Sequence, residues 1–447
     1  HILILEKMSC LSTLKMVTSD TFQTSLWMST AVSPPETKIL TQPLDTQVVV
    51  VGAGFTGLSA ALHLRELGCE VVVLEAKEIG FGASGRNGGQ VISGLKIDPH
   101  ALVKKFGNET ASQIFCATER SADLVFNLVK KYKLRCELKR TGLIYASENS
   151  SMLDKSRSRV EWLNNQGIGA EMLSASETAS RIGHHIYTGS MYDPRGGALN
   201  PLSYVRELAS AALSKGAQIY TDSAAVTLER AGEKWRVETK EGSVNADKVI
   251  LCTNAYTNLE NGKSLWPTLA QSIVPLYSFQ VATKPLSDNL RKVILPGGHT
   301  VSNTRRLMLY YRFDETGRFV LGGRGSGRDK QNIRGYKHLI HKVSELFPTL
   351  KNHEIEFFWG GKVAITTDAI PHIHNPAKGI YAGLGFNGRG VAMSTLFGKW
   401  LAMATTASLP SEALPFSKIN PIPFHSLRGI GVSLVTRFKF FQDMFKL

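Results

Sequence analysis

Gln47-Val48-Val49-Val50-Val51-Gly52-Ala53-Gly54-Phe55-Thr56-Gly57 decides the fold. The run from Gln47 to Gly52 has no polar alternation after Gln47, the pattern of a strand buried on both faces of a parallel sheet. Leu58 to Gly68, LSAALHLRELG, reads as a helix with a terminal glycine as its stop signal. Glu70 to Glu75, EVVVLE, is a second buried run. Strand, helix and strand make a βαβ unit, with G-x-G-x-x-G at its first turn. In that motif Gly52 permits the tight turn, Gly54 lets the backbone approach a pyrophosphate, and Gly57 lets the helix pack closely on the strand. The phosphates would meet the free N–H groups and positive dipole of the helix N-terminus, along Phe55 and Thr56. Glu75, followed by Ala76, ends the second strand, where a carboxylate accepts hydrogen bonds from ribose hydroxyls. A ligand-free glycine turn is the bland alternative. The strands, the helix and the acid in register argue against it.

Phe81 to Gln90, FGASGRNGGQ, follows the second strand almost at once. A simple NAD domain would more often continue into a helix there. A polar, glycine-rich loop can instead lay Ala83, Ser84 and Arg86 along a pyrophosphate and carry Asn87, Gly88, Gly89 and Gln90 toward a flavin ring; a solvated surface loop is the alternative. A second such turn, Gly383 to Gly390 (GLGFNGRG), precedes a helix over Val391 to Ala404. Its residues Gly385, Phe386, Asn387, Gly388, Arg389 and Gly390 would aim N–H groups and a helix dipole at the N1/C2 edge of a reduced flavin. Taken alone, such a turn is more often plain α/β punctuation.

Elsewhere the patterns are looser. Leu199 to Gly216 reads as a helix opened by Asn200-Pro201. Gln218 to Arg230, Lys234 to Lys240, Ala246 to Thr253 and Gly379 to Leu384 read as strands, and Leu307 to Arg324 as a hairpin turning near Glu315-Thr316-Gly317.

The 447 residues are 43% hydrophobic and 20% charged, which excludes disordered, collagen-like and disulfide-stapled classes. No stretch reaches the roughly 18 apolar residues of a spanning helix. The five cysteines, Cys10, Cys69, Cys116, Cys136 and Cys252, are odd in number and form no C-x-x-C, which predicts reduced thiols, a cytoplasmic protein and no zinc site. The net charge of +15 favours anionic small molecules. It is spread along the chain, so a nucleic-acid partner is not expected. The chain begins at His1, with Met8 and Met16 as candidate starts, and its first residues lack the apolar core of a secretory signal. There is no G-x-S-x-G elbow and no P-loop, so hydrolase and NTPase readings have no support.

The combination VVVVGAGFTGLSAALHLRELGCEVVVLEA, GFGASGRNGGQV, DAIPHIH and GLGFNGRGVAMSTLFGKWLA resembles the D-amino-acid-oxidase-like FAD-dependent oxidoreductases over nearly the whole chain. GASGRNGGQ, together with SLWMSTA at Ser25 to Ala31, is similar to the γ-glutamylputrescine oxidoreductase branch. The resemblance implies a Rossmann-like α/β FAD-binding domain interleaved with an antiparallel-sheet substrate domain. The expected division is an arm over 1–46, an FAD domain over 47–130, 190–265 and 355–410, a substrate domain over 131–189 and 266–354, and a tail over 411–447. It also implies that Ala225 and Val226 touch the adenine through backbone groups and that Thr253 and Asn254 line the dinucleotide site. The implied reaction is hydride transfer from an amine C–H to flavin N5, giving an imine that water hydrolyses, with O₂ or a quinone as final acceptor. The sarcosine oxidases of that superfamily hold flavin through a cysteine and grip a carboxylate with a lysine on the last helix. This chain has Gly360-Gly361-Lys362-Val363 and Gly390-Val391-Ala392 in those places and no cysteine after Cys252, so FAD is expected to be non-covalent.

Candidate catalytic residues are Tyr310, Arg312, Lys362 and His372. Alternation puts Tyr310 and Arg312 on one strand face and Tyr311 on the other. Arg312 or Arg324 could hold a carboxylate bidentately, and a tyrosine could border the flavin; a solvated arginine and a packing tyrosine are the alternatives. Lys362 is a candidate for oxygen activation or substrate contact. His372 and His374 have no third residue at metal-ligand spacing and read as structure or active-site wall. Leu427, Ile430, Leu434, Phe438, Phe441 and Phe445, flanked by Arg428, Arg437, Lys439 and Lys446, recur at helical spacing. That tail either packs on its own domain or touches an anionic membrane surface. The readings carried forward are a γ-glutamylputrescine-type amine oxidase, a membrane-associated D-amino acid or secondary-amine dehydrogenase, and a non-catalytic FAD-binding subunit. An NAD-dependent dehydrogenase would leave both later glycine loops as coincidence.

Overall fold

The structure is a computed structural model and describes residues 21–258, 264–305, 307–325 and 330–427. Two eight-stranded sheets organise it. In the first, the order is His372–Ala377, Ile380–Leu384, Ser243–Leu251, Pro43–Val51, Val71–Leu74, Gln218–Tyr220. All neighbours after the first pair run parallel. Lys234–Glu238 joins the first half of Ser243–Leu251 antiparallel and carries Thr227–Ala231 beyond it.

The valine run explains this sheet. Val48 and Val50 enter one hydrophobic core and Val49 and Val51 another, so the strand is buried on both faces. Over the first face lie the helices Phe55–Glu66, Pro201–Ser214 and Gly390–Thr406. Asn200 caps the second of these through the Ser203 N–H, with Pro201 in its first turn. Gly398 lets the last helix approach the first, because a Cβ there would lie 2.5 Å from the Thr56 carbonyl oxygen.

The second sheet has the order Ile355–Ile365, Val274–Pro285, Arg318–Arg324, Leu309–Phe313, Thr300–Asn303, Leu143–Ser147, Gly189–Asp193, Glu171–Ser174. It is antiparallel except where Thr300–Asn303 meets Leu143–Ser147. One face packs its own core under the helix Lys337–Leu346. The other contributes Met191, Ala282, Val320 and Trp359 to the core of the first unit, which holds the two layers together. The architecture is thus a Rossmann-like α/β unit against an antiparallel sheet.

Several expectations need correction. Gln218 to Arg230 is not one strand: it breaks after Tyr220, where Asp222 takes a left-handed φ of 48°, and resumes at Thr227. Gly189–Asp193 and Ile355–Ile365 belong to the antiparallel sheet, so the chain enters the parallel unit later than positions 190 and 355. The first strand starts at Pro43, inside the stretch read as an arm, and Leu26–Thr30 is helical. The tail helix expected over 411–447 is not formed over 411–424, which is irregular, with a single 3-10 turn at His425–Leu427; the rest of that stretch lies outside the described residues. Among the described residues no helix is long and apolar enough to cross a membrane.

Candidate active site

The parallel strands end along one edge, and in an open α/β sheet ligands bind beyond the carboxyl ends of the strands. Pro43–Val51 runs out into Gly52–Gly57, Val71–Leu74 into Glu75, Ser243–Leu251 into Thr253 and Asn254, and Ile380–Leu384 into Gly385–Gly390. Four sequence-distant segments therefore meet because their strands are neighbours. Asn254, at φ 44°, fastens two of them by accepting the Gly385 N–H at 2.9 Å.

The first turn has the shape a pyrophosphate requires. Gly52 has φ 108°, and a Cβ there would lie 3.1 Å from the Cys252 carbonyl oxygen. A Cβ on Gly54 would come within 2.8 Å of Ser84 Oγ, and one on Gly57 would overlap the Gly52 carbonyl oxygen. The helix Phe55–Glu66 receives no side-chain cap from Gly54, so N–H groups remain at its start. Ser84 Oγ accepts the Phe55 N–H at 2.9 Å, which places its own O–H at the same helix end. Phe55 itself is buried against Tyr204 and Thr56 is buried, so both serve the turn through their backbone. Glu75 accepts the Ala53 N–H at 2.7 Å and the Lys77 N–H at 3.0 Å. Desolvation raises its pKa against those hydrogen bonds, and a carboxylate keeps further lone pairs for ribose hydroxyls. Ala76 is exposed beside it. Val226 is 45% exposed, but its N–H already goes to the Glu238 carbonyl at 2.8 Å. Only its carbonyl and the neighbouring Ala225 backbone are left for an adenine. Thr253 is engaged with Thr257 through a 2.8 Å hydroxyl contact. These residues fit the dinucleotide part of FAD.

The loop from Ala83 to Gln90 is held by its carbonyls. Trp359 Nε1 donates to Arg86 O at 3.0 Å, joined there by the Gln280 amide. Trp27 Nε1 donates to Asn87 O at 2.8 Å, and Arg312 Nε to Gly88 O at 2.7 Å. The Asn87 side chain ties the loop internally, donating to Ala83 O and Ser84 O and accepting the Gly89 N–H. Trp27 and Trp359 are fully buried edge to face, with centroids 5.6 Å apart. The N-terminal arm thus wedges into the seam between the two layers and fixes the loop from behind.

This clamp corrects three assignments. Arg86 does not lie along a pyrophosphate: it is buried, packed on the Phe22 and Phe81 rings, with Nε on Phe81 O at 2.7 Å. Gln90 turns to the second sheet, donating to Val301 O and accepting from Ser302 Oγ. Arg312 is neither a carboxylate grip nor solvated. Its guanidinium donates to Gly88 O, Leu199 O and Phe313 O and lies 5.0 Å from the Trp27 ring centre. Burial lowers its pKa to about 10, so it stays charged at neutral pH.

Tyr310 does share a face with Arg312, as alternation requires. Its ring packs on Gly88, where a Cβ would lie 2.6 Å from it, and its hydroxyl meets Ser278 Oγ at 2.8 Å. Burial raises its pKa to about 12. Arg324 lies across from Ser278 on the same face, and its guanidinium has no hydrogen bond or ion pair among the described residues; desolvation lowers its pKa. Lys362 donates its backbone N–H to Tyr256 Oη, and its ammonium lies 5.1 Å from that ring's centre. The same ring packs on Gly82, so Lys362 borders the loop. His372 pairs with Leu384 across the sheet, next to Gly385, but its ring is taken up by other partners. It bridges Asp368 Oδ1 at 3.1 Å and Ser417 Oγ at 3.0 Å and stacks on His374, so both ring nitrogens are engaged within the fold. Burial would raise the Asp368 pKa, but hydrogen bonds from His372 and Lys105 hold it well below the ordinary carboxylate range.

The second glycine turn is built as a cradle. Gly385 has φ 83° and Asn387 φ 53°. Asn387 binds Thr366 through both side-chain atoms at 2.9 Å. Phe386 is buried edge-on to Phe397. Gly388 and Gly390 face open space, with nothing within 4 Å of a Cβ, and Arg389 puts no side-chain cap on the helix that follows. N–H groups are therefore free at this helix end as well.

The sequence profile of a family described as "FAD dependent oxidoreductase" matches residues 47–404. The probable oxidoreductase OrdL of Haemophilus influenzae is 32% identical, covering 82% of this chain and 84% of the relative. The γ-glutamylputrescine oxidoreductase of Escherichia coli is 30% identical, covering 89% and 94%. Among solved structures, the L-proline dehydrogenase of P. horikoshii superposes with a TM-score of 0.68 at 22% identity, covering 83% of this chain and 96% of its own. The glycine oxidase of Geobacillus kaustophilus gives 0.68 at 20% identity, covering 84% and 100%.

Proposed function

Because this chain belongs to the family of FAD dependent oxidoreductases, we propose that it oxidises the C–N bond of a γ-glutamylated polyamine or a closely related carboxylate-bearing amine. FAD, held non-covalently, is its cofactor and supplies the two-electron acceptor for a substrate C–H. The chain's own residues supply position. Gly52, Gly54, Gly57 and the Phe55 and Thr56 backbone would receive the pyrophosphate, with Ser84 donating to it, Glu75 taking the ribose hydroxyls, and Val226, Thr253 and Asn254 at the dinucleotide's flanks. Gly385–Gly390 would turn N–H groups toward the isoalloxazine edge. The Trp27–Trp359–Arg312 clamp would hold Asn87–Gly89 against the ring and keep water out from behind.

The observation that carries the substrate reading is the E. coli relative, aligned over 89% of this chain. The experiment is anaerobic mixing of the purified yellow protein with γ-glutamylputrescine, putrescine, sarcosine and D-alanine. Bleaching of the visible flavin band by γ-glutamylputrescine and not by the other three is the expected result. Bleaching by D-alanine or sarcosine alone would replace the substrate class. Re-oxidation by air, compared with re-oxidation by a soluble quinone, then identifies the acceptor.

A further inference from the structure

We propose that Arg389, Tyr145 and Ser93 form a carboxylate subsite that fixes one end of the amine substrate. The proposal rests on the reading above that the substrate carries a carboxylate, and it names the side chains that would recognise it. Arg389 leaves the second glycine turn and crosses to the antiparallel sheet. Its guanidinium lies 5.5 Å from the ring centre of Tyr145, on the strand Leu143–Ser147. One η nitrogen donates to Ser93 O at 3.0 Å. Among the described residues this is its one hydrogen bond, and no carboxylate pairs with it. A guanidinium has five N–H donors, so most of its capacity is unused.

The groups around Arg389 are unsatisfied too. Ser93 is 4% exposed, and its Oγ has no partner. The Tyr145 hydroxyl makes no hydrogen bond among the described residues, and desolvation raises its pKa, with Arg389 opposing. Buried polar groups are ordinarily paired. Here the spare guanidinium donors and the hydroxyls of the two residues that Arg389 touches lack acceptors among the described residues, and Gly388 and Gly390 beside it face open space. The nearby cations are already matched, Arg159 by Glu119 and Arg195 by Glu119 and Asp193. Arg389 is thus the uncompensated charge of this corner. Arg324 is also unpaired, but the hydroxyl beside it, Ser278, is already engaged with Tyr310 and Gly323 O. Nothing comparable converges there.

The same chemistry, an acceptor oxygen, could come from the substrate or from the pyrimidine edge of FAD, and the test separates them. Glutarate and its uncharged diamide, glutaramide, are titrated into the FAD-loaded enzyme by calorimetry, and the flavin reduction potential is measured alongside. Wild type should bind glutarate and not glutaramide. Arg389→Gln should weaken glutarate by about tenfold to a hundredfold, the loss expected for hydrogen bonds to a charged group. Arg389→Lys should fall between, keeping charge and losing the fork. Tyr145→Phe should weaken it several-fold, and Arg389→Lys and Tyr145→Phe, which keep the charge, should keep the wild-type potential. Equal glutarate affinity in wild type, Arg389→Lys and Tyr145→Phe would overturn the proposal. So would a shifted potential in Arg389→Lys at unchanged glutarate affinity, which would give Arg389 to the cofactor. Because glutarate binding needs no turnover, a protein that binds it through Arg389 yet is bleached by no amine would refute the amine reading and leave the subsite standing.

Discussion

A Gly57→Ala protein should purify colourless. A Cβ at this position would overlap the Gly52 carbonyl oxygen and sit 3.1 Å from Val50 Cγ1. Neither neighbour can yield: the oxygen belongs to the turn itself, and the valine is buried in the central strand. The helix must therefore lift off the sheet, and it carries the phosphate-facing N–H groups with it. Overpacking of this kind costs about 1–3 kcal/mol in stability, and the loss of register at the helix end removes the cofactor's principal contacts. The measurement is the ratio of visible to ultraviolet absorbance after purification in FAD, with the melting temperature alongside. Gly169→Ala, where a Cβ meets nothing within 4 Å, is the control and should stay yellow. A Gly57→Ala protein with full FAD content would show that the cofactor does not lie on this turn.

Arg312→Met should be nearly as damaging, and for a different reason. The guanidinium joins Gly88 O, from the loop, to Leu199 O, ahead of the helix Pro201–Ser214, and to Phe313 O on its own strand. Its removal leaves buried carbonyls without donors and takes away the cation under Trp27. Leaving a buried carbonyl without its donor costs about 1–3 kcal/mol for each group. Both a lower melting temperature and weaker FAD retention are expected, since Gly88 loses its tether. Arg324→Met gives the contrast. Its guanidinium is partly desolvated with no acceptor among the described residues, so its replacement should leave the melting temperature unchanged or raise it. Equal destabilisation by both substitutions would refute the distinction between a tethering and an unpaired arginine.

The parts of this molecule legible in the sequence are those set by local rules. The valine run, the three glycines and Glu75 report steric and hydrogen-bonding needs that lie within one βαβ unit, and the structure places them together. The second glycine turn was visible for the same reason. The clamp was not, because it brings Trp27, Gln280, Arg312 and Trp359 together from four distant segments. Alternation gave the face on which Arg312 lies but not what waits there, and the carbonyls it found turned a candidate grip into a tether. Arg86 was misplaced because its guanidinium packs on Phe81 of its own loop and on Phe22, which arrives from a distant segment. Ser93 and Tyr145 carried no signal at all: a serine after a short strand and a tyrosine in an apolar run gain meaning only from the arginine opposite.

The central claim is that the chain holds FAD without a covalent bond between the Gly52–Gly57 turn and the Gly385–Gly390 turn. Acid precipitation of the purified protein tests it most directly. The account predicts a colourless pellet and a yellow supernatant that contains FAD, equimolar with the protein. A flavin that stays in the pellet, a supernatant of FMN, or a protein that takes up no flavin would contradict it.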